Sequence, residues 1–303
     1  MNRFLFIFIF LLISSCELPS IIQADRYVEP SPVEVSKNIP AYENVWDRIR
    51  ATNSSKQTDL DEKTLRYLNA YLANPEQLER LLEKGRYFIF YVLEELERYR
   101  LPPELALLPY IESNYDPFSI SASGAMGIWQ FMPATARIYG LNDTWWYEQR
   151  HDPLVSTKAA VRYLAYLHNR FNKELTYTLA AYNGGPTLLE KKIKLNKKAN
   201  KLTNYENLSL PKQTQEYVPK FKAILELVLN AEKYEITLPD FSNKQVLGSI
   251  ELDGQVEILA FSEFADLKPE FVYKLNAGFT KWASPPGSKT IFNIPVELEE
   301  ILN

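Results

Sequence analysis

Apolar residues recur at helical spacing from Asn44 to Lys233, and no strand-like alternation precedes Val246. That periodicity constrains the fold more than any other feature, because a 3.6-residue pattern cannot be seated in a sheet. Asn74-Pro75 reads as a helix start, with asparagine as cap and proline in the first turn. Leu78, Leu81, Leu82, Tyr87, Phe90, Val92 and Leu93 continue it as a broad apolar face. Leu101-Pro102-Pro103 ends that helix after Arg100, and a short apolar helix is expected from Glu104 to Glu112. Asp152-Pro153 opens another, with Ala160, Leu164, Leu167 and Phe171 on one face. Leu175 to Asn183 follows, stopped by Gly184-Gly185-Pro186, and Gln213 to Ala231 is the last long helix. The Lys191 to Lys201 cluster reads as a solvated helix end and loop. Beyond Val246 the pattern changes to strand (Gly248 to Asp253), two short helices (Val256 to Phe264, Pro269 to Leu275) and strand (Ile291 to Val296). The expected fold class is mainly α: a helical domain over 44–234 with a small α+β C-terminal module over 235–303.

The first residues are a different kind of segment. A positive start (Met1-Asn2-Arg3), an apolar run from Phe4 to Ile13 and Ser14-Ser15-Cys16 make a secretory leader over 1–16. The run is shorter than the roughly 20 residues that a spanning helix needs. Cys16 is the one cysteine of the chain, so no disulfide can close within it. Ile13-Ser14-Ser15-Cys16 resembles a bacterial lipobox, which implies cleavage before Cys16 and its lipidation. An ordinary signal peptide or an uncleaved anchor is the competing reading. Pro19, Pro30, Pro32 and Pro40 break up the polar stretch over 17–43, expected to be a flexible tether. The net charge of -4 offers no general basic field for nucleic acid.

Elimination narrows the chemistry. With two histidines, His151 and His168, and no cysteine in the folded part, neither a zinc site of the usual type nor a glycine-rich phosphate loop is expected. No metal or other cofactor is therefore assigned. Both histidines fit structural roles beside or on helices. Glu112 stands out, because it closes an apolar segment from Leu105 to Ile111. The negative end of a helix and apolar neighbours both disfavour a carboxylate there, which raises its pKa as a general acid requires. From Glu112 alone, a surface glutamate at a helix end would be the simpler explanation.

Its surroundings carry more. Glu112-Ser113, Asp116-Pro117, Ser121, Gly124-Ala125, Gly127, Gln130 and Met132-Pro133 stand in order. Ala181-Tyr182-Asn183-Gly184-Gly185 and Tyr217-Val218-Pro219 follow. Together they resemble the soluble-lytic-transglycosylase-like domain, related in fold to goose-type lysozyme, and more closely the membrane-bound lytic murein transglycosylase D type. Trp129-Gln130-Phe131-Met132-Pro133, Trp145-Trp146-Tyr147 and Arg150-His151-Asp152 extend the likeness. One departure is Gln213-Thr214, where the family usually has Glu-Thr.

The resemblance implies a lysozyme-like helical catalytic domain that cuts peptidoglycan glycan strands with Glu112 alone, as acid and then as base. It implies that Ser121, Gln130, Met132, Tyr182 and Asn183 line the sugar cleft. Asp116, before a proline, is expected to turn or cap the chain rather than serve as a second carboxylate. Trp129, Trp145, Trp146 and Tyr147 are divided between sugar stacking and the core. The tail weakly resembles a degenerate LysM-type module. Location follows from the leader and the resemblance: a periplasm-facing lipoprotein held through Cys16, in the outer membrane. A lysozyme-like hydrolase and a non-catalytic wall-binding lipoprotein are the competing functions.

Overall fold

Prolines and short polar side chains set where the helices begin. The structure, a computed structural model, describes residue 32 and residues 42–51, 60–287 and 289–302. The leader with Cys16, and the tether apart from residues 32, 42 and 43, lie outside the described residues. Ten helices come first: α1 (Val45–Ala51), α2 (Glu62–Leu72), α3 (Pro75–Glu83), α4 (Ile89–Arg98), α5 (Leu108–Glu112), α6 (Pro133–Ile138), α7 (Pro153–Arg170), α8 (Leu175–Gly184), α9 (Pro186–Lys198) and α10 (Lys212–Leu229). Then come β1 (Leu247–Leu252), α11 (Ile258–Phe264), α12 (Pro269–Leu275), β2 (Thr290–Pro295) and α13 (Glu299–Leu302). Asp61, Asn74 and Asp152 accept backbone N–H groups in the first turns of α2, α3 and α7, each cap contributing about 1 kcal/mol. Helices α3, α6, α7, α9 and α12 carry proline at their start, where the missing N–H costs no hydrogen bond.

Three details differ from the periodicity. The helix read from Asn74 to Arg100 is two, α3 and α4, broken by a turn over 84–88 where Gly85 lets the Tyr110 hydroxyl approach. The segment Glu104 to Glu112 is not one helix but a 3-10 turn (Pro103–Leu107) followed by α5. Pro109 has no N–H to offer the Leu105 carbonyl; the Leu108 N–H takes that carbonyl instead and tightens the turn. The lysine cluster is mostly helical, since α9 runs from Pro186 to Lys198 before the loop.

A main core gathers α4, α5, α7, α8 and α10 around Leu93, Leu105, Trp129, Leu164, Ala181 and Phe221. Helix α1 is tied into it. Val45 donates to the Phe241 carbonyl at 3.0 Å, and the Trp46 indole donates to Pro239 at 2.7 Å. A second, smaller core lies in the tail, built on Ile250, Ile258, Phe261, Val272, Phe292 and Ile294. There β1 and β2 pair antiparallel with Ile250 opposite Phe292, so both apolar side chains face the two short helices. The two parts meet at backbone level. Tyr147 and Phe279 form a bridge, flanked by Glu148 N to Gly278 O at 2.8 Å and Thr280 N to Trp146 O at 3.0 Å.

Asn276 locks the small unit. Its amide donates to the Val272 and Asn293 carbonyls at 2.9 and 3.0 Å, and accepts the Asn293 N–H at 2.7 Å. Asn276→Ala removes the partners of the Asn293 N–H and carbonyl, while the Val272 carbonyl keeps the Asn276 N–H. It is expected to lower stability by about 1–3 kcal/mol, read as a lower denaturation midpoint by circular dichroism.

Candidate active site

Glu112 is the last residue of α5, and the chain turns sharply just after it. Asn114 and Tyr115 both take left-handed backbone with φ of 56°, a conformation costing a non-glycine residue about 1–2 kcal/mol. The Tyr115 side chain offsets this. Its ring is fully buried against Tyr110, with centroids 4.5 Å apart, and its hydroxyl donates to Ala106 at 2.7 Å. Burial of a large apolar side chain is worth roughly 1.5–3 kcal/mol, so the turn holds. The following residues then pass across the front of α5.

Those residues form a tightly braced loop. Asp116 accepts the Phe118 N–H at 3.0 Å, so this carboxylate caps a turn, as its place before proline implies. His151 meets the Pro117 carbonyl through Nδ1 at 2.6 Å, and the buried His168 meets Thr178 at 3.1 Å. The Ser121 hydroxyl accepts the Ala125 N–H at 2.9 Å and lies 3.0 Å from Ser123 Oγ. A hydroxyl offers one donor and two acceptor sites, so Ser121 keeps capacity for one further partner. Gln130 spends both amide hydrogens on the carbonyls of Ser119 and Gly127, at 3.2 and 3.0 Å. Only its carbonyl oxygen is left to meet a ligand. Gly127 must be glycine, because a Cβ there would stand 1.8 Å from the Arg150 carbonyl oxygen, and its φ is +76°. Met132, Phe118 and Ile120 expose apolar surface.

The opposite wall comes from α8 and α10. Gly184 lies within α8 rather than in a turn, and Gly185 carries the positive φ. A Cβ on Gly184 would come within 3.0 Å of Thr214 Oγ1. Its bare backbone thus lets α10 approach, and Thr214 donates to Asn183 at 3.0 Å. One turn further along α10, the Tyr217 hydroxyl donates to Glu112 Oε1. Lys220 follows, its ammonium donating to the Ile111 carbonyl at 3.1 Å. Tyr182, on α8, is held by a 2.8 Å bond from its hydroxyl to Trp129 O and reaches Glu112 only through its field. Burial, with Glu112 nearby, holds the hydroxyl protons of Tyr182 and Tyr217 firmly in place.

Glu112 is half-buried, with protein packed around most of its carboxyl. Desolvation raises its pKa to about 7, against the opposing pull of the Tyr217 hydrogen bond and the Lys220 charge. No second carboxylate acts on it among the described residues. Beside Lys220 and Asn114 opens a cavity of about 340 Å³, lined also by Tyr67, Tyr71, Asn74 and Gln77.

The aromatic residues divide. Trp129 is core, its indole bonded to Thr157 at 2.8 Å, and Tyr147 packs on Phe279. Trp145 is exposed. Sequence reasoning singled out the Tyr217-Val218-Pro219 stretch without giving Tyr217 a task, and it passed over Lys220. The motif was the only signal for a tyrosine that meets a glutamate 105 positions away.

Comparison with known proteins bears on the same stretch. Residues 90–204 match the family described as Transglycosylase SLT domain. Over 208 residues the chain is 34% identical to membrane-bound lytic murein transglycosylase D of Escherichia coli K12, covering 69% of this chain and 46% of that protein. It is 36% identical over 87 residues to membrane-bound lytic murein transglycosylase F of Desulfosudis oleivorans, covering 27% of this chain and 18% of that one. The chain thus spans less than half the length of these relatives. Among solved structures, the lytic transglycosylase Slt of Pseudomonas aeruginosa overlaps 46% of this chain and 24% of its own at 23% identity, with a TM-score of 0.36.

The raised pKa of Glu112 has a stability consequence. Below its ordinary value of 4.5 the carboxyl is neutral in folded and unfolded chains alike; above about 7 the folded protein must hold a desolvated charge. Glutamine carries no such charge. Glu112→Gln is therefore expected to raise the melting temperature near pH 8 and to leave it unchanged near pH 4, as followed by scanning calorimetry.

Proposed function

We propose, from the match of residues 90–204 to the Transglycosylase SLT domain, that this chain is a peptidoglycan lytic transglycosylase. It cuts the β-1,4 bond between N-acetylmuramic acid and N-acetylglucosamine and leaves a 1,6-anhydro end. The observation that carries this reading is the state of Glu112. It is a desolvated carboxyl, protonated up to about neutral pH, and the described residues set no second carboxylate against it. Most glycosidases use two carboxylates; a single one suits a reaction whose nucleophile is already part of the substrate.

In the proposed cycle, Glu112 gives its proton to the glycosidic oxygen as the C1–O bond breaks. The C6 hydroxyl oxygen of the same muramyl ring attacks C1, and its proton passes to the Glu112 carboxylate. The enzyme ends as it began, with no water consumed. An internal hydroxyl has a high effective concentration, so no enzyme nucleophile is needed. While Glu112 is charged, the Tyr217 hydroxyl and the Lys220 ammonium stabilise it. Ser121, the Gln130 carbonyl, Met132, Tyr182 and Asn183 form the cleft wall in this reading, and the cavity beside Lys220 receives the continuing strand.

The leader, and the relatives named as membrane-bound, support a periplasm-facing protein anchored in a membrane. Lipidation at Cys16 and placement in the outer membrane belong to the same proposal. So does the division into a lysozyme-like catalytic domain over 44–234 and a LysM-like module over 235–303.

Digestion of purified sacculi should release anhydro-ended muropeptides by mass spectrometry; reducing ends alone would make the protein a hydrolase. Glu112→Gln should lower the rate by about 10²–10⁴-fold while sacculus binding persists, and an unaffected rate would leave only a wall-binding role. Tyr217→Phe removes a bond that favours the charged form of Glu112. The descending limb of the pH–rate profile, near pH 7 in the parent, should then move to higher pH.

A further inference from the structure

Three tryptophans meet at the seam between the main core and the tail, and none of them serves the chemistry of Glu112. Trp145 is 73% exposed and Trp282 is 62% exposed. Trp146 is half-buried, its ring 6.0 Å from that of Trp282 at 65°. Burying an exposed indole is strongly favourable in water, so indoles displayed along one seam mark a surface that meets a ligand. The backbone that carries these rings is held in place. Thr280 donates to the Trp145 carbonyl at 2.7 Å through its hydroxyl and to Trp146 O at 3.0 Å through its N–H, and Ile258 donates to Trp282 O at 2.8 Å. The Lys281 ammonium sits 3.8 Å from the centre of the Trp145 ring. It steadies one indole face by cation–π attraction and leaves the other open.

The chemistry of the patch indicates its partner. An anionic lipid surface is met by apolar side chains, tryptophan included, set among many cations. Here the indoles stand beside a single ammonium, that of Lys281, on the Trp145 ring. Flat π-faces suit the C–H faces of pyranose rings, and the ammonium suits a carboxylate on a peptide stem. Resting on the reading that the substrate is peptidoglycan, we propose that Trp145, Trp146 and Trp282 form a second glycan-binding platform outside the Glu112 cleft. Its rings come from both parts of the chain, so it assembles only when the tail is docked. It keeps a strand on the enzyme between cuts.

The test uses full-length protein carrying Glu112→Gln, which does not cut, and Cys16→Ser, which takes no acyl chain. Binding is measured by co-sedimentation with purified sacculi, with glycan strands stripped of peptide, and with phosphatidylglycerol vesicles. Trp145→Ala and Trp282→Ala should each weaken binding to both glycan preparations about tenfold, with an unchanged melting temperature; Trp145→Phe should retain most of it. Lys281→Met should weaken binding to whole sacculi but not to stripped strands. Unchanged glycan binding by Trp145→Ala, or a loss confined to vesicles, overturns the platform. Whether the parent enzyme makes anhydro ends is read separately, so a failure of that reaction is not confused with a failure here.

Discussion

Burial favours the neutral form of Glu112, while the Tyr217 hydroxyl and the Lys220 ammonium favour the charged one. Burial is the larger effect and sets the pKa at about 7. In the proposed cycle the opposing groups still matter, because an acid that later acts as a base needs its charged form to be attainable. Much of the helical architecture converges on this balance. Helix α5 ends at Glu112 because Asn114 and Tyr115 turn the chain away, and Tyr115 sustains that turn through its buried ring. Helix α10 delivers Tyr217 because Gly184 leaves room for Thr214.

The loop from Asp116 to Gln130 shows how a site can be polar in composition yet spend its polarity on itself. Asp116, Ser121 and Gln130 all make hydrogen bonds within the loop. A bare Gly127 lets the loop press against the Arg150 backbone. What remains toward the cleft is a small number of fixed valences and exposed apolar surface from Phe118, Ile120 and Met132. In the proposed reaction such a rigid frame positions a sugar without reorganising at each turnover, the main route by which positioning lowers a barrier.

The tail is joined to the helical part by backbone bonds at Tyr147 and Phe279 and by aromatic packing. Gly278 leaves no room for a side chain there, since a Cβ would lie 2.6 Å from the Tyr147 ring. Close backbone approach fixes the tail's orientation, and with it the relation of Trp282 to Trp145 and Trp146.

Local information was legible in the chain. Helical periodicity, asparagine and aspartate caps and opening prolines announced α3 and α7, and alternation announced β1 and β2. Proline at 117 announced the turn at Asp116, and the run ending in Glu112 announced a carboxyl in apolar surroundings. Each follows from forces between near neighbours, which a sequence states directly. Proline at 109 could also have foretold the 3-10 turn before α5, had its missing N–H been counted. The partners of Glu112 were decided only by tertiary structure. Tyr217 meets it across 105 positions because a glycine on one helix and a threonine on another allow close contact. Whether Trp129 was core or cleft, and whether Trp145 and Trp282 would be neighbours of one seam, likewise depended on how separate elements pack. Packing is a property of facing surfaces, and no spacing along one strand of chain specifies which surfaces will face.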